Sequence, residues 1–180
     1  TLPHERIGVV FDAPPYNGMW RVRDVGRGLS RFFPTWSDEA FDRQIAGADL
    51  DPAKRVKDLS RGMGMRLQMA AALAHAPELL ILDEPTGGLD PLARSERVDA
   101  LADYMTDEGH TVLFSTHITS DLEKCASHIT FIKDGTIQHT GTLTDFRQHY
   151  DYLRQLGQEL TLEDIIVSVE RRPLDENAIV

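Results

Sequence analysis

The feature that most constrains this sequence is a four-residue apolar block, Leu79-Leu80-Ile81-Leu82, that runs directly into Asp83, Glu84 and Pro85. A strand with no polar alternation offers no face to water. It belongs in a sheet covered on both sides, which is the ordinary state of a parallel sheet. Its carboxylates then fall at the C-terminal rim of the strand, where parallel sheets hold their ligands. Two further runs repeat the pattern: Ile7 to Phe11 ends at Asp12 ahead of the Pro14-Pro15 breaker, and the β-rich Thr111 to Ser115 precedes His117. Helical segments separate the three runs. The pattern predicts an α/β domain with parallel strands, in which Asp12, Asp83, Glu84 and Ser115 to His117 converge on one rim.

Between the first two strands only helices are expected, so this stretch reads as a separate helical lobe. Val22, Val25, Leu29 and Phe32 recur at spacings of three and four, predicting an amphipathic helix that Pro34 ends. Ser37 is a good N-cap, Trp36 and Phe41 occupy the positions of a hydrophobic staple, and Gly47 supplies a stop. Asp51-Pro52 is expected to open a short helix through Val56. Ser60 begins the next one, with Met63, Leu67, Ala70, Ala71 and Ala74 along one side and Pro77 closing it. After the acidic strand, Asp90 and Pro91 start a helix with Val98, Leu101 and Met105 inside and Gly109 at its end. Ser120-x-x-Glu123 has the form of a capping box, and Asp134-Gly135 separates two β-rich runs as a hairpin turn. Phe146, Leu153 and Leu156 are expected to line a later helix. Leu162 to Ile166 predicts one more short helix before a frayed end from Arg171 to Val180.

Composition removes several function classes. Nineteen basic against 29 acidic side chains leave a net charge of −10, which repels a phosphate backbone and argues against a nucleic-acid partner. One cysteine cannot form an internal disulfide and suits a reducing compartment, and no apolar run approaches the ~20 residues of a membrane-spanning helix. The chain starts at Thr1 with no initiator methionine and no leader, so further N-terminal sequence is expected. His4, His75, His110, His128, His139 and His149 have no ligand-type spacing, and Cys125 reads as core. Tyr16 and Trp20, in a Pro/Gly-containing loop, have the amphipathic side chains of interface anchors.

Two adjacent carboxylates on the rim of a buried strand can divide the work of a hydrolase, one holding a hydrated Mg²⁺ and the other orienting or deprotonating a water. The plain alternative is a solvated acidic turn. Upstream, Leu59-Ser60-Arg61-Gly62-Met63 opens a helix whose free N–H groups and Ser60 hydroxyl point to one place, and Gly62 in the first turn allows a phosphate to approach closely. There the alternative is Ser60 as an ordinary N-cap. The ordered set LSRGM, LLILDEP, GGLD and STH is more demanding than any one of its members.

In that set the sequence resembles the nucleotide-binding domain of ATP-binding cassette (ABC) transporters over residues 5–150. Leu59 to Met63 resembles the family signature, usually LSGGQ, with Arg66 at the arginine that often follows it. Leu79 to Glu84 resembles the Walker B motif, Leu89-Asp90 the D-loop and His117 the switch histidine; Ile7 to Asp12 falls where the strand into the Q-loop should be. The details resemble ABC-2-type exporters more than importers. There are three departures. Arg61 and Met63 replace the glycine and glutamine of the signature, Asp12 stands where glutamine is usual, and no GxxxxGK[ST] occurs in the chain, as if the N-terminal part of a cassette were missing.

The resemblance implies an α/β fold: a P-loop NTPase (RecA-like) parallel-sheet core with an inserted all-helical subdomain, incomplete at the N-terminus. Residues 1–12 and 78–150 would form the core, 13–77 the helical subdomain carrying the signature, and 151–180 a C-terminal extension. It implies ATP and Mg²⁺ as cofactors, with Asp83 on the metal, Glu84 as general base and His117 sensing the γ-phosphate. Ser60, Arg61, Gly62 and Met63 would face the nucleotide of an opposite subunit, Asp90 would link the two sites, and Asp12 would reach metal or water. The implied partners are a transmembrane permease subunit and a second nucleotide-binding domain, in a homodimer or heterodimer at the cytoplasmic face of the membrane. Tyr16 and Trp20 would then receive the permease. A soluble ABC ATPase of translation or DNA repair and a non-catalytic interaction module are the rival readings.

Overall fold

The computed structural model describes residues 3–154 and 160–171. Thr1, the expected contact of Leu156 and the expected frayed end beyond Arg171 lie outside them. Two compact units divide the chain at 117/118.

In the first unit, β1 (Ile7–Val10), β2 (Leu79–Asp83) and β3 (Thr111–Ser115) form a sheet in that order, with every pairing parallel. Val10 lies opposite Leu82, Leu82 opposite Phe114, and Asp83 opposite Ser115, so the three strand ends reach one rim. On one face Val10, Leu80 and Leu82 are buried under Met65, Met69 and Ala72 of α3 (Arg61–Leu73) and Leu101 of α4 (Pro91–Tyr104). The opposite face carries the row Val9, Ile81 and Leu113, with Val9 40% and Leu113 61% exposed. The unalternating sequence predicts cover on both faces; among the described residues only one face has it.

The helical core joins α1 (Val22–Leu29), α2 (Asp38–Gly47) and the other side of α3 through Val22, Val25, Phe41, Ile45, Leu67 and Ala71. Ser37 caps α2 as expected, its hydroxyl accepting from the Ala40 N–H at 3.0 Å. Gly26 lets the Phe41 ring lie against α1, because a Cβ there would come within 2.7 Å of that ring.

Two expectations fail in this lobe. The first helix stops at Leu29 rather than at Pro34, and Phe32, expected on its inner face, is 77% exposed. The Ser30 hydroxyl bonds back to the Arg27 carbonyl, and Phe33 turns inward to stack on His75 at 4.1 Å. No α-helix forms from Asp51 to Val56. There the backbone pairs with a neighbouring segment instead: Val22 N–H donates to Lys54 O, Val56 N–H to Trp20 O and Lys57 N–H to Gly18 O. Only the 3₁₀ turn Val56–Asp58 remains.

The second unit contains α5 (Thr119–Cys125), the antiparallel hairpin of β4 (His128–Lys133) and β5 (Thr136–Thr142), α6 (Leu143–His149) and α7 (Leu162–Glu170). Ile129, Phe131, Phe146, Tyr150, Leu162 and Ile165 form its core. Asp134 and Gly135 both take positive φ, 49° and 73°, as a two-residue hairpin turn requires. The expected box at Ser120 does not form. α5 begins two residues earlier, with Ile118 at the N-cap and no side-chain cap, and Glu123 instead accepts from Arg147 and from the Leu162 N–H. Capping boxes occur at Thr142 with Asp145 and at Thr161 with Asp164. The later helix expected through Leu153 ends at His149, with a 3₁₀ turn over Asp151–Leu153.

Candidate functional site

The rim of the sheet gathers four polar side chains. Asp83 ends β2, and its Oδ1 accepts from the Ser115 hydroxyl across the strand pair at 2.7 Å. The next residue, Glu84, has φ 47°, a left-handed conformation that a long side chain rarely adopts, and it precedes a proline, which steers it toward extended backbone. What holds it there comes from the neighbouring strand. Its N–H donates to Ser115 through both the hydroxyl (3.1 Å) and the carbonyl (3.2 Å). Oε1 of Glu84 lies 2.9 Å from His117 Nδ1, while Oε2 is buried with no hydrogen-bond partner among the described residues. An orphaned carboxylate oxygen inside a protein is destabilising by about 1–3 kcal/mol unless a ligand or water meets it. Strain and an unmet acceptor therefore coincide on one residue.

A second cluster adjoins this one through the turn from Glu84 to Asp90. Gly87 N–H closes onto Glu84 O and Leu89 N–H onto Thr86 O, with Gly88 at φ 70°. The start of α3 lies against this turn: a Cβ on Gly62 would touch Leu89, and the Arg61 guanidinium sits on Gly87 and Gly88. Arg61 is also paired with Asp12, just beyond β1. Ser60 caps α3, its hydroxyl accepting from the Met63 N–H at 3.3 Å. Met63 turns away toward the helical core, where its sulfur lies 3.6 Å from Lys54 Nζ. Asp90 caps α4, its Oδ1 accepting from Leu92 and Ala93. Asp83, Glu84 and His117 are thus brought together, and Arg61 and Gly62 lie against the adjoining turn, with Asp12 paired to Arg61.

Fit to a magnesium ion can be judged from the donors. Asp83 is exposed and offers a hard carboxylate oxygen at the rim, and among the described residues no cluster of three or more His, Cys, Asp or Glu side chains could hold a metal alone. An ion held by one carboxylate, with phosphate and water oxygens completing its shell, is the arrangement Mg²⁺ favours. The residues fit it.

A sequence profile described as ABC transporter matches residues 1–87. The energy-coupling factor transporter ATP-binding protein EcfA2 of Bacillus cereus is 31% identical over 170 residues, covering 89% of this chain and 57% of that protein. The chain belongs to the ABC transporter ATP-binding family. The bacitracin transport ATP-binding protein BcrA of Bacillus licheniformis is 33% identical over 134 residues, which is 73% of this chain and 44% of BcrA. The chain spans about half the length of these curated relatives. In fold it matches a solved ATP-binding subunit of an ABC transporter with a TM-score of 0.77, at 21% identity, covering 92% of this chain and 68% of that one. The fold is therefore that of an ABC ATPase domain, a P-loop NTPase parallel sheet with helices. No helix among the described residues is long and apolar enough to cross a membrane.

Within that family frame, sequence reasoning missed Gln68. Gln68 on α3 is 1% exposed, and its side-chain amide pairs with both backbone groups of Phe11: Phe11 N–H donates to Oε1 and Nε2 donates to Phe11 O, each at 2.9 Å. A glutamine among apolar helix positions was the available signal. Ser115, expected on the rim, bonds both acidic neighbours there. Tyr16 moves the other way: expected at an interface, it packs against the helical core, where burial pushes its hydroxyl pKa well up. Trp20 remains 41% exposed, its ring lying over Gly28.

Proposed function

We propose that these residues form part of the ATP-hydrolysing subunit of an ABC transporter, working as an exporter. A pair of such domains would close around ATP and drive a transmembrane permease from the cytoplasmic face of the membrane. The observation that carries the reading is Glu84: strained backbone, one oxygen on His117 and the other buried and unmet. Such a carboxylate is poised to take a proton from a water. His117 holds its orientation and would sense the γ-phosphate, and Asp83, steadied by Ser115, would hold Mg²⁺. When bound, that ion would offset negative charge on the transferring phosphoryl oxygens. Ser60 and Gly62, at the start of α3, would meet the triphosphate of the opposite subunit, with Asp90 linking the two sites. The lobes would divide as 1–12 with 78–150, 13–77, and 151–180. The 180 residues alone, lacking GxxxxGK[ST], would neither bind ATP tightly nor hydrolyse it, and micromolar affinity by calorimetry would count against this.

The decisive comparison is between neighbouring carboxylates in a hydrolysing protein that contains these residues. Glu84→Gln should cut turnover at least ~100-fold, within the range of general base catalysis, and leave ATP bound in a closed dimer. Asp83→Asn should weaken Mg²⁺-dependent binding itself. Turnover by Glu84→Gln near the unmodified rate removes Glu84 as the base.

A further inference from the structure

The two charged departures from the family pattern, Asp12 and Arg61, are 49 residues apart in sequence and are paired with each other. The pair does not stand alone. Along one side of α3, Gly64 faces Pro14 so closely that a Cβ would come within 2.6 Å of its ring, and Gln68 holds both backbone groups of Phe11. Positions 61, 64 and 68 follow the i, i+3, i+7 spacing of a single helix face. That face grips residues 11–14 at three points. Beyond Asp12, the Arg61 guanidinium reaches the turn that follows Glu84, where side-chain carbons on Gly87 and Gly88 would meet its nitrogens at 3.2 and 3.0 Å. A planar, permanently charged fork can serve a carboxylate on one edge and lie on bare backbone with its face; a lysine cannot do both.

We propose that Arg61 and Asp12 are a positioning pair for Glu84. The guanidinium, anchored by Asp12, seats on Gly87 and Gly88 and holds the Glu84–Asp90 turn in the shape that keeps Glu84 at positive φ with its carboxylate on His117. A backbone conformation of that kind persists only where its surroundings over-determine it. Ser115 holds Glu84 from the strand side, and Arg61 holds the turn from the helix side. The two departures are then one compensated change. The consequence for hydrolysis rests on the reading of Glu84 as base, but the clasp itself does not.

The test separates the two. In the 180-residue chain, amide hydrogen exchange is followed at Gly87 and Leu89, whose N–H groups close the turn, with the helix amides of Ala70 and Ala71 as the reference. Arg61→Ala and Asp12→Ala should each speed exchange at Gly87 and Leu89 about three- to fivefold, the scale of a partly exposed ion pair, and leave the reference amides unchanged. The double variant should do no more than either single one, and the swap Arg61→Asp with Asp12→Arg should restore slow exchange in part. Arg61→Lys should recover less than half of the protection. Unchanged turn amides in Arg61→Ala, or additive effects in the double variant, overturn the proposal. In a hydrolysing protein containing these residues, Arg61→Ala should lower kcat about tenfold through misplacement of Glu84, with KM for ATP little changed. A raised KM at constant kcat would make Arg61 a nucleotide contact and overturn its positioning role. Faster exchange together with a fully active Glu84→Gln would leave the pair standing and overturn the base instead.

Discussion

Besides Asp49 after α2, two acidic residues among those described sit in left-handed backbone, Glu84 after β2 and Asp134 between β4 and β5. Their φ values are nearly equal, 47° and 49°, and their settings are opposite. Asp134 is exposed, is followed by Gly135, and lies in a two-residue hairpin turn whose geometry demands positive φ. A short carboxylate tolerates that region, so local chemistry explains the conformation in full. Glu84 has a longer side chain, a proline after it and no hairpin to close. Its conformation is held from outside, by two bonds from its N–H to Ser115 and by the turn on which Arg61 sits. Where sequence accounts for strain, the strain is architecture; where contacts from other elements account for it, the residue is a candidate for a functional role.

The sharpest way to break this comparison is to exchange glycine and side chain at both turns. Gly135→Ala adds a Cβ that meets nothing within 4 Å, so its whole effect is backbone, a loss of about 1–2 kcal/mol at φ 73°. Glu84→Gly should act in the opposite direction. Relief of about 1–2 kcal/mol of left-handed strain outweighs about 0.5–1 kcal/mol of added chain entropy, a net gain of about 0.5 kcal/mol in urea unfolding. Loss of more than about 1 kcal/mol in that variant would mean that the Glu84 side chain holds the turn, and the distinction drawn above would fail.

Acid gives the smaller and finer separation. His75, in the same unit as Glu84, is buried against Phe33 with Nδ1 on the Glu5 carbonyl, and burial lowers its pKa from 6.5. The folded unit then binds fewer protons than the unfolded chain, so its stability is full above pH 6.5 and falls as pH drops below that value. In the hairpin unit, Asp145 and Asp164 have pKa values lowered from 3.8 by bonds from Thr142 and Thr161, so their contribution persists to lower pH and is lost only below that value. Followed by unit-specific amide exchange, the Glu84 unit should loosen first on acidification. His75→Phe should remove the early phase, and its survival in that variant would reject His75 as the cause.

Legibility followed the range of the interaction. The three parallel strands, the caps at Ser37, Ser60 and Asp90 and the Asp134-Gly135 turn are each specified within a few residues, and the sequence displays them. So is the acidic pair at the end of β2. What escaped was set across the chain. A helix expected at Asp51 gives way because Trp20 and Val22 take its backbone groups, and Glu123 leaves its expected box for Arg147 and Leu162. Gln68 reads as one polar interruption in an apolar helix until Phe11 is placed beside it, 57 residues away. In the site, the meeting of Asp83, Glu84, Ser115 and His117 was legible from the strand ends, whereas Asp12 and Arg61 stood out only as departures, and nothing in their spacing joined them.

α3 is the common wall of both cores in the first unit, with Leu67, Ala70 and Ala71 on the helical side and Met65, Met69 and Ala72 on the sheet side. Apart from its exposed arginines, Arg61 and Arg66, a helix of this kind has little surface on which substitutions can drift. Enlarging Ala71 calls for a smaller residue in the helical core, enlarging Ala72 for one in the core under the sheet, and the two repairs draw on separate partners. Its history should therefore be one of paired replacements, each confined to one side, with the other side recording a different lineage of compensation.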